Sequence, residues 1–420
     1  MNQANLGRNF NIYAIGKLVS MVGSGIQQVA IPLFILDLTG SGTLMGIFAM
    51  LSTIPGIVIS PIAGAMGDRL DRKRIMVYTD FIRGLIILFL ALVVATGDIT
   101  IIILFICQVF VSINDSFFNA STQAMLPELV EQKELTRANS MIGGINSFSL
   151  ILGPALGGIL YAAVGMEGVF LVNGVSFVGS AISELFLKYK PAIAGKLEWN
   201  RVWGDIRVGM RAILDMHAIR QLIIYGGFLN FLFLPFIIVL LPYVLRQDIG
   251  FSAHEYGFLQ SFWMVGVLVG NLILGVRFAH RSTAGAMKNG FTFMIIFNTL
   301  FAILIYIFNE KILPLNMWEM FVGVALLLTL MGLFNAFINT PLMTNLQLLV
   351  PADVRARAFS LLMALFQSAV PIGMVVFGFL TDNVPISYIL LAMSAVLLVG
   401  TLIFMRSARP EVFEPPAPQN

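Results

Sequence analysis

The stretch Gly64-Ala65-Met66-Gly67-Asp68-Arg69-Leu70-Asp71-Arg72-Lys73-Arg74 joins two long apolar runs, residues 44–67 and 75–96. Each run has about the 20 residues that a helix needs to cross the hydrocarbon of a bilayer. Two acids and four bases fall in the seven residues that follow Gly67. A turn so charged between runs so apolar is a loop held at a membrane surface, and its lysine and arginine mark the side on which it is retained.

Working outward, ten more windows have the same character, near 11–37, 99–124, 138–163, 168–187, 219–245, 255–278, 288–309, 317–346, 357–381 and 385–405. Turn residues separate them: Thr39-Gly40-Ser41-Gly42, Gly97-Asp98, Gly165-Met166-Glu167 and Asn383-Val384-Pro385. Barrel strands are a poor alternative, because they alternate over about ten residues and these runs are apolar throughout. The first run is longer than a signal-peptide core and no small-x-small pattern ends it, so it is expected to stay in the membrane.

Composition agrees. The 420 residues are 58% hydrophobic and only 11% charged, with a mean hydropathy of +0.90. A water-soluble domain carries about a quarter charged residues, so most of this chain must face lipid. The single cysteine, Cys107, excludes a disulfide framework and a thiolate metal cluster. The three histidines (His217, His254, His280) fall outside the most apolar stretches, which argues against a buried histidine-metal site, and no cofactor is expected. A net charge of +3 is too small to suggest nucleic acid as a partner.

Placing both termini in the cytoplasm leaves only Arg246 and Lys311, of 25 basic residues, on the outer side. The fold class expected is therefore all-α and membrane-spanning, with twelve helices in two six-helix bundles. Residues 1–187 form the first bundle, 188–218 a linker, 219–406 the second bundle and 407–420 a cytoplasmic tail. In the linker, Trp199, Val202, Trp203, Ile206, Met210 and Ile213 recur at helical spacing among six bases. That pattern predicts an amphipathic helix lying on anionic lipid, with a solvated linker as the alternative.

An internal repeat supports the two-bundle reading. Shifting residues 119–160 by 220 brings ten identities into register, among them Asn119/Asn339, Arg137/Arg357, Gly153/Gly373 and Gly158/Gly378, where about four would arise by chance. Weaker echoes relate Pro32 to Pro242 and Gly64 to Gly275. Two halves of six spans share topology, the pattern by which transporters build a site at the midplane between repeats.

The opening stretch resembles the G-x-x-x-D-R-x-x-R-K signature between helices two and three of the major facilitator superfamily. That resemblance implies a cytoplasmic latch of Gly64, Asp68, Arg69 and Arg72, to which Asp80 is assigned as well. Asp71 departs from the commoner small or basic residue there. Gly153-Pro154-Ala155-Leu156-Gly157-Gly158 resembles the G-P-x-x-G-G core of the family's antiporter signature, assigning Gly153, Pro154, Gly157 and Gly158 to an antiporter-type helix. Ser140 and Ser149 stand where the full signature has glycine. With Thr39-Gly40-Ser41, Asp80-x-x-Arg83 and Leu135-Thr136-Arg137-Ala138-Asn139, the chain is similar to the macrolide-efflux and enterobactin-exporter branch. The resemblance implies extrusion of bulky amphipathic small molecules by a monomer in a bacterial-type inner or plasma membrane.

Ionisable groups inside apolar spans are costly and are functional by default. Arg83 and Asp115 lie at similar depth in neighbouring spans. Two arrangements fit: a buried ion pair, or separate contacts to substrate and proton. Asp115 is the preferred proton carrier and Asp37 the second candidate, with a plain helix-end role as the alternative for Asp37. Glu184, near a helix end, is expected to be solvated. In this family the first, fourth, seventh and tenth spans line the cavity, which makes Gln27, Asn119, Asn230, Asn335 and Asn339 candidates for substrate contact together with Arg83. Each amide is equally well read as an interhelical hydrogen bond. The leading function is proton-coupled export of amphipathic compounds. An importer or lysophospholipid flippase of the same fold is the alternative, with Arg83 as a phosphate contact. A membrane-embedded enzyme or a sensor is disfavoured, because no nucleophile-base cluster or phosphate loop is visible.

Overall fold

A computed structural model describes residues 7–67, 71–188, 216–277, 284–350 and 355–414. Among these every regular element is helical: α1 Arg8–Thr39, α2 Gly42–Gly67, α3 Arg72–Thr96, α4 Ile101–Leu129, α5 Leu135–Leu185, α6 His217–Pro235, α7 Ala253–Arg277, α8 Ala284–Asn309, α9 Met317–Leu349, α10 Arg355–Ser368, α11 Val370–Asn383, α12 Ile386–Ser407 and α13 Pro410–Phe413. Helices are the expected answer, since lipid offers backbone groups no partner and a helix satisfies them internally. Eleven stretches among the described residues are long and apolar enough to cross a membrane.

One of those stretches is 54 residues long, Gln132–Leu185. Within it α5 is interrupted at Gly165, whose φ of 65° and ψ of −170° leave the helical region. Only glycine takes that conformation without strain, so α5 is two limbs joined at one residue. Beyond Pro235, α6 continues through π-helical turns at Phe236–Leu240 and Tyr243–Asp248.

The helix ends are capped by sequence-local devices. Asp71 caps α3, its carboxylate accepting from the Arg74 amide at 3.2 Å. The residue that departs from the signature thus satisfies one of the orphan amides at a helix start. Gly40 and Gly97 close α1 and α3 in the left-handed region. Asn316 and Glu319 form a reciprocal capping box on α9.

The chain divides into two compact units, each described by itself. The first comprises Met1–Gly40, Ile47–Leu197 and Ser252–Phe258, and the second Ser41–Gly46, Glu198–Phe251 and Leu259–Asn420. Each unit therefore takes the first turns of one helix from the other half of the sequence. In the first, α5 packs against both α1 and α3. Glycines allow the approach: a Cβ on Gly153 would lie 2.8 Å from the Gly25 Cα, and one on Gly157 2.7 Å from the Ile26 carbonyl oxygen. Two glycines of the antiporter-type run thus let α5 meet α1 backbone to backbone. The linker helix expected around 199–213 lies outside the described residues.

In the second unit, Tyr225 stacks on Phe404 with centroids 3.8 Å apart and bonds Thr401 through its hydroxyl at 2.9 Å. Pro410–Phe413, in the stretch read as a tail, is a helical turn with Val412 and Phe413 buried. The Asn345 amide donates to the carbonyls of both, at 2.9 and 3.2 Å.

The same unit caps α2 from outside the helix. Asp382 of α11 accepts from the Gly42 amide at 2.7 Å, the Thr43 amide at 3.0 Å and the Ser41 hydroxyl at 2.7 Å. A carboxylate here answers both the unpaired amides and the positive end of the helix dipole. Asp382→Ala should lower stability by about 1–2 kcal/mol, seen as a lower thermal midpoint of the purified protein. Asp382→Asn, which keeps an acceptor oxygen, should lose less; equal midpoints for all three proteins would refute the cap.

Candidate functional site

The site forms in the first unit, where α3 carries Asp80 and Arg83 one turn apart. Spacing of three residues puts both on one helical face. Asp80 is fully buried and Arg83 is 5% exposed. The Arg83 guanidinium reaches two carboxylates: Asp80, at 3.8 Å between Nη1 and Oδ1, and Asp115 of α4, which it contacts directly through Nη2. Its flat faces are covered by Phe177, 4.6 Å from the ring centroid, and Phe118, 5.4 Å away. Aromatic faces favour a cation, and here they replace the water that Arg83 has lost. Ser20 of α1 donates to Asp80 at 3.4 Å.

Asp115 differs from its partners. Its side chain is 44% exposed while that of Arg83 is 6% exposed, so the pair has one dry end and one open end. Of the two arrangements the sequence allowed, the structure has the ion pair, with only its cation buried.

Glu184 belongs to the same cluster, contrary to the expectation that it is solvated. It is 2% exposed and interacts electrostatically with Asp80 and Arg83. Proximity to the helix end misled the sequence reading, because the second limb of α5 carries Glu184 into the packing with α1 and α3. Asp80, assigned to the latch, pairs with Arg83 of its own helix, and Arg72 pairs with Glu128 of α4 at 2.6 Å. Glu128 carried no sequence signal. Gly64 lies in α2, and Asp68 and Arg69 lie outside the described residues, as does Ala279 of the corresponding second-half loop.

Gln27 has the interhelical bond that was its alternative reading. It is buried, and its side-chain carbonyl accepts a hydrogen bond from the Asn173 amide of α5. In an apolar interior an amide without a partner is costly, and this pair resolves two of them across helices. Asp37, at the end of α1, is exposed and accepts from the Tyr161 hydroxyl at 2.8 Å. Asn119 is exposed one turn from Asp115 on α4.

In the second unit Asn230 donates to the Gly226 carbonyl of its own helix at 2.9 Å. On α9, Asn339 donates to Asn335 at 2.8 Å, and Thr340 donates to Asn271 of α7 at 2.6 Å. Asn339 and Thr340 are exposed. Asn271 and Thr340, which carried no sequence signal, thus form a second polar pair beside Asn335 and Asn339 in sequence. Among the described residues no group of three or more His, Cys, Asp or Glu is placed to hold a metal.

Macrolide efflux protein A of Streptococcus pyogenes is 24% identical over 401 residues, covering 94% of this chain and 93% of the relative. The multidrug efflux pump Tap of Mycolicibacterium fortuitum is 26% identical over 394 residues, 92% of each chain. Among solved structures, a bacterial homologue of the iron transporter ferroportin in an inward-facing state aligns with a TM-score of 0.72 at 17% identity, covering 96% of this chain and 99% of that one. The nucleoside transporter NupG aligns at 0.75 and 13% identity, covering 95% and 99%. These structural likenesses establish the fold. A family model described as transmembrane secretion effector matches residues 6–418, and with it the chain belongs to that family of major facilitator transporters, multi-pass proteins of the bacterial plasma membrane.

Proposed function

We propose that this transporter exports bulky amphipathic small molecules in exchange for protons, by alternating access between two six-helix halves. The names of the two efflux relatives support the direction, and the glycine contacts of Gly153 and Gly157 fit an antiporter-type helix. Counting the limbs of α5 on either side of Gly165 as two crossings turns eleven apolar stretches into twelve. Twelve crossings leave both termini on one side, and the distribution of lysine and arginine makes that side the cytoplasm. On that orientation Gly64, Asp68, Arg69 and Arg72 supply the cytoplasmic latch, with Glu128 as the partner of Arg72.

The observation that carries the coupling is the ion pair between a buried Arg83 and a half-open Asp115. A cationic or amphipathic substrate arriving at the open end competes with Arg83 for Asp115, and so does a proton. That competition makes Asp115 the primary proton carrier, with Asp37 as the second candidate. Asn119, Asn230, Asn335 and Asn339 offer hydrogen bonds to the substrate, and no cofactor is required. The chain acts as a monomer.

Asp115→Asn should abolish gradient-driven efflux of ethidium or erythromycin from cells expressing the protein, and a protonophore should abolish it in the unmodified protein. Full efflux by Asp115→Asn would remove Asp115 from the mechanism, and accumulation in place of efflux would favour import. The flippase reading is weakened by the burial of Arg83, since a phosphate would have to displace a carboxylate to reach it.

A further inference from the structure

Behind the Arg83–Asp115 pair lie more carboxylates than cations. Asp80 is fully buried and Glu184 is 2% exposed, while Arg83, which interacts with both, is also in contact with Asp115. Among the described residues, the helices packed around this point present few other charges. From α1 come Tyr13, which interacts with Glu184, and Lys17, whose ammonium lies 6.0 Å from the Tyr13 ring centroid. Lys73 of α3 donates to the Leu185 carbonyl at 2.7 Å, and among the described residues Arg83 is the one cation within ion-pair reach of any of the three carboxylates. Oδ1 of Asp80 and Oε2 of Glu184 are both buried without a hydrogen-bond partner among the described residues. An uncompensated carboxylate sealed from water is among the costliest groups a fold can hold, and two carboxylates at close quarters both ionise only when a cation is given over to them.

We infer that Asp80 and Glu184 share one proton and act, with Arg83, as the inner station of a proton relay whose outer station is Asp115. The step balances in protons and charge. In one state Asp115 is ionised and paired with Arg83, and the Asp80–Glu184 pair holds the proton. In the other, Asp115 is protonated, Arg83 turns fully to Asp80 and Glu184, and both of these are ionised. Each state carries one proton and the same net charge, and Arg83 moves toward whichever carboxylates are left ionised as the proton passes the other way. Arg83 needs only to redistribute between two carboxylates it already touches.

This inference rests on the proton-coupled reading, and its test separates the two. The infrared spectrum of the purified protein at neutral pH should show the carbonyl band of a protonated carboxyl group. That band should be lost in Glu184→Gln and in Asp80→Asn and kept in Glu131→Gln, whose side chain is exposed. A wild-type spectrum without the band, or a band that survives both substitutions, overturns the shared proton whatever the protein transports. In everted membrane vesicles energised by a pH gradient, ethidium uptake should fall to background in Glu184→Gln. Gradient-driven uptake persisting in that variant overturns the relay. Wild-type uptake indifferent to the gradient overturns the antiport reading, and with it the relay, while the spectrum still decides where the proton resides.

Discussion

Arg83→Met is expected to leave little folded protein in the membrane and no transport. Arg83 is the cation of a cluster in which Asp80 and Glu184 are sealed from water and Asp115 is half open. Removing one partner of a buried ion pair costs about 3–5 kcal/mol, because the remaining charge keeps its desolvation penalty and loses its compensation. Methionine preserves much of the apolar stem and its contact with Phe177 and Phe118, so the loss falls on charge rather than on volume. That total is a large share of the stability of an ordinary domain. The measurement is the yield of monodisperse protein and its thermal midpoint. Arg83→Lys should fall between, since an ammonium keeps the charge but cannot span two carboxylates as a planar fork does. Adding Asp80→Asn to Arg83→Met should restore part of the yield by removing one stranded carboxylate. If Arg83→Met matched the wild type in midpoint, the charge cluster would not be what holds α3, α4 and α5 together.

Which parts of this cluster were legible depends on how much each residue's surroundings could be read from its neighbours in sequence. Arg83 and Asp115 stood out because each interrupts an apolar run, and lipid makes any such interruption expensive. Glu184 did not, because it lies one residue before the end of α5, where a sequence gives no sign of whether the end is wet or packed. Gln27 was visible as a polar residue in a span, but its role depended on the rotation of α1 relative to Asn173, which is 146 positions away. The spans themselves were plain, since apolar length is a one-dimensional property. Local punctuation was equally plain at Gly40, Gly97 and Gly165, where a positive φ demands glycine. The interruption between α10 and α11 near Ala369 and the π-helical turns at Phe236–Leu240 and Tyr243–Asp248 had only prolines as marks, Pro371, Pro235 and Pro242, which disturb a helix without fixing whether it breaks, kinks or runs on.

The internal repeat says more than that the halves are related, because the glycines it aligns make equivalent contacts. Gly158 and Gly378 coincide at the shift of 220, and each packs against the start of a helix from the other half of the sequence. A Cβ on Gly158 would stand 3.1 Å from the Gly257 Cα and nearer still to the Ala253 carbonyl oxygen. A Cβ on Gly378 would stand 3.2 Å from the Gly46 Cα and nearer still to the Gly42 carbonyl oxygen. Gly46 and Gly257 are separated by the same offset of 211 that relates Gly64 to Gly275. Duplication of one ancestral contact explains both pairs. What would be displaced in each case is backbone, which has no rotamer to yield, so Gly158→Val should cost at least the 1–3 kcal/mol typical of overpacking. A lower thermal midpoint and loss of ethidium efflux are the expected results. Gly144→Ala on the same helix is the contrast, because no atom lies within 4 Å of the added methyl group. Alanine there should hold or raise the midpoint, by up to about 1 kcal/mol from helix propensity alone. Should Gly158→Val keep the wild-type midpoint and efflux, the paired glycines would be an inherited pattern without a mechanical role.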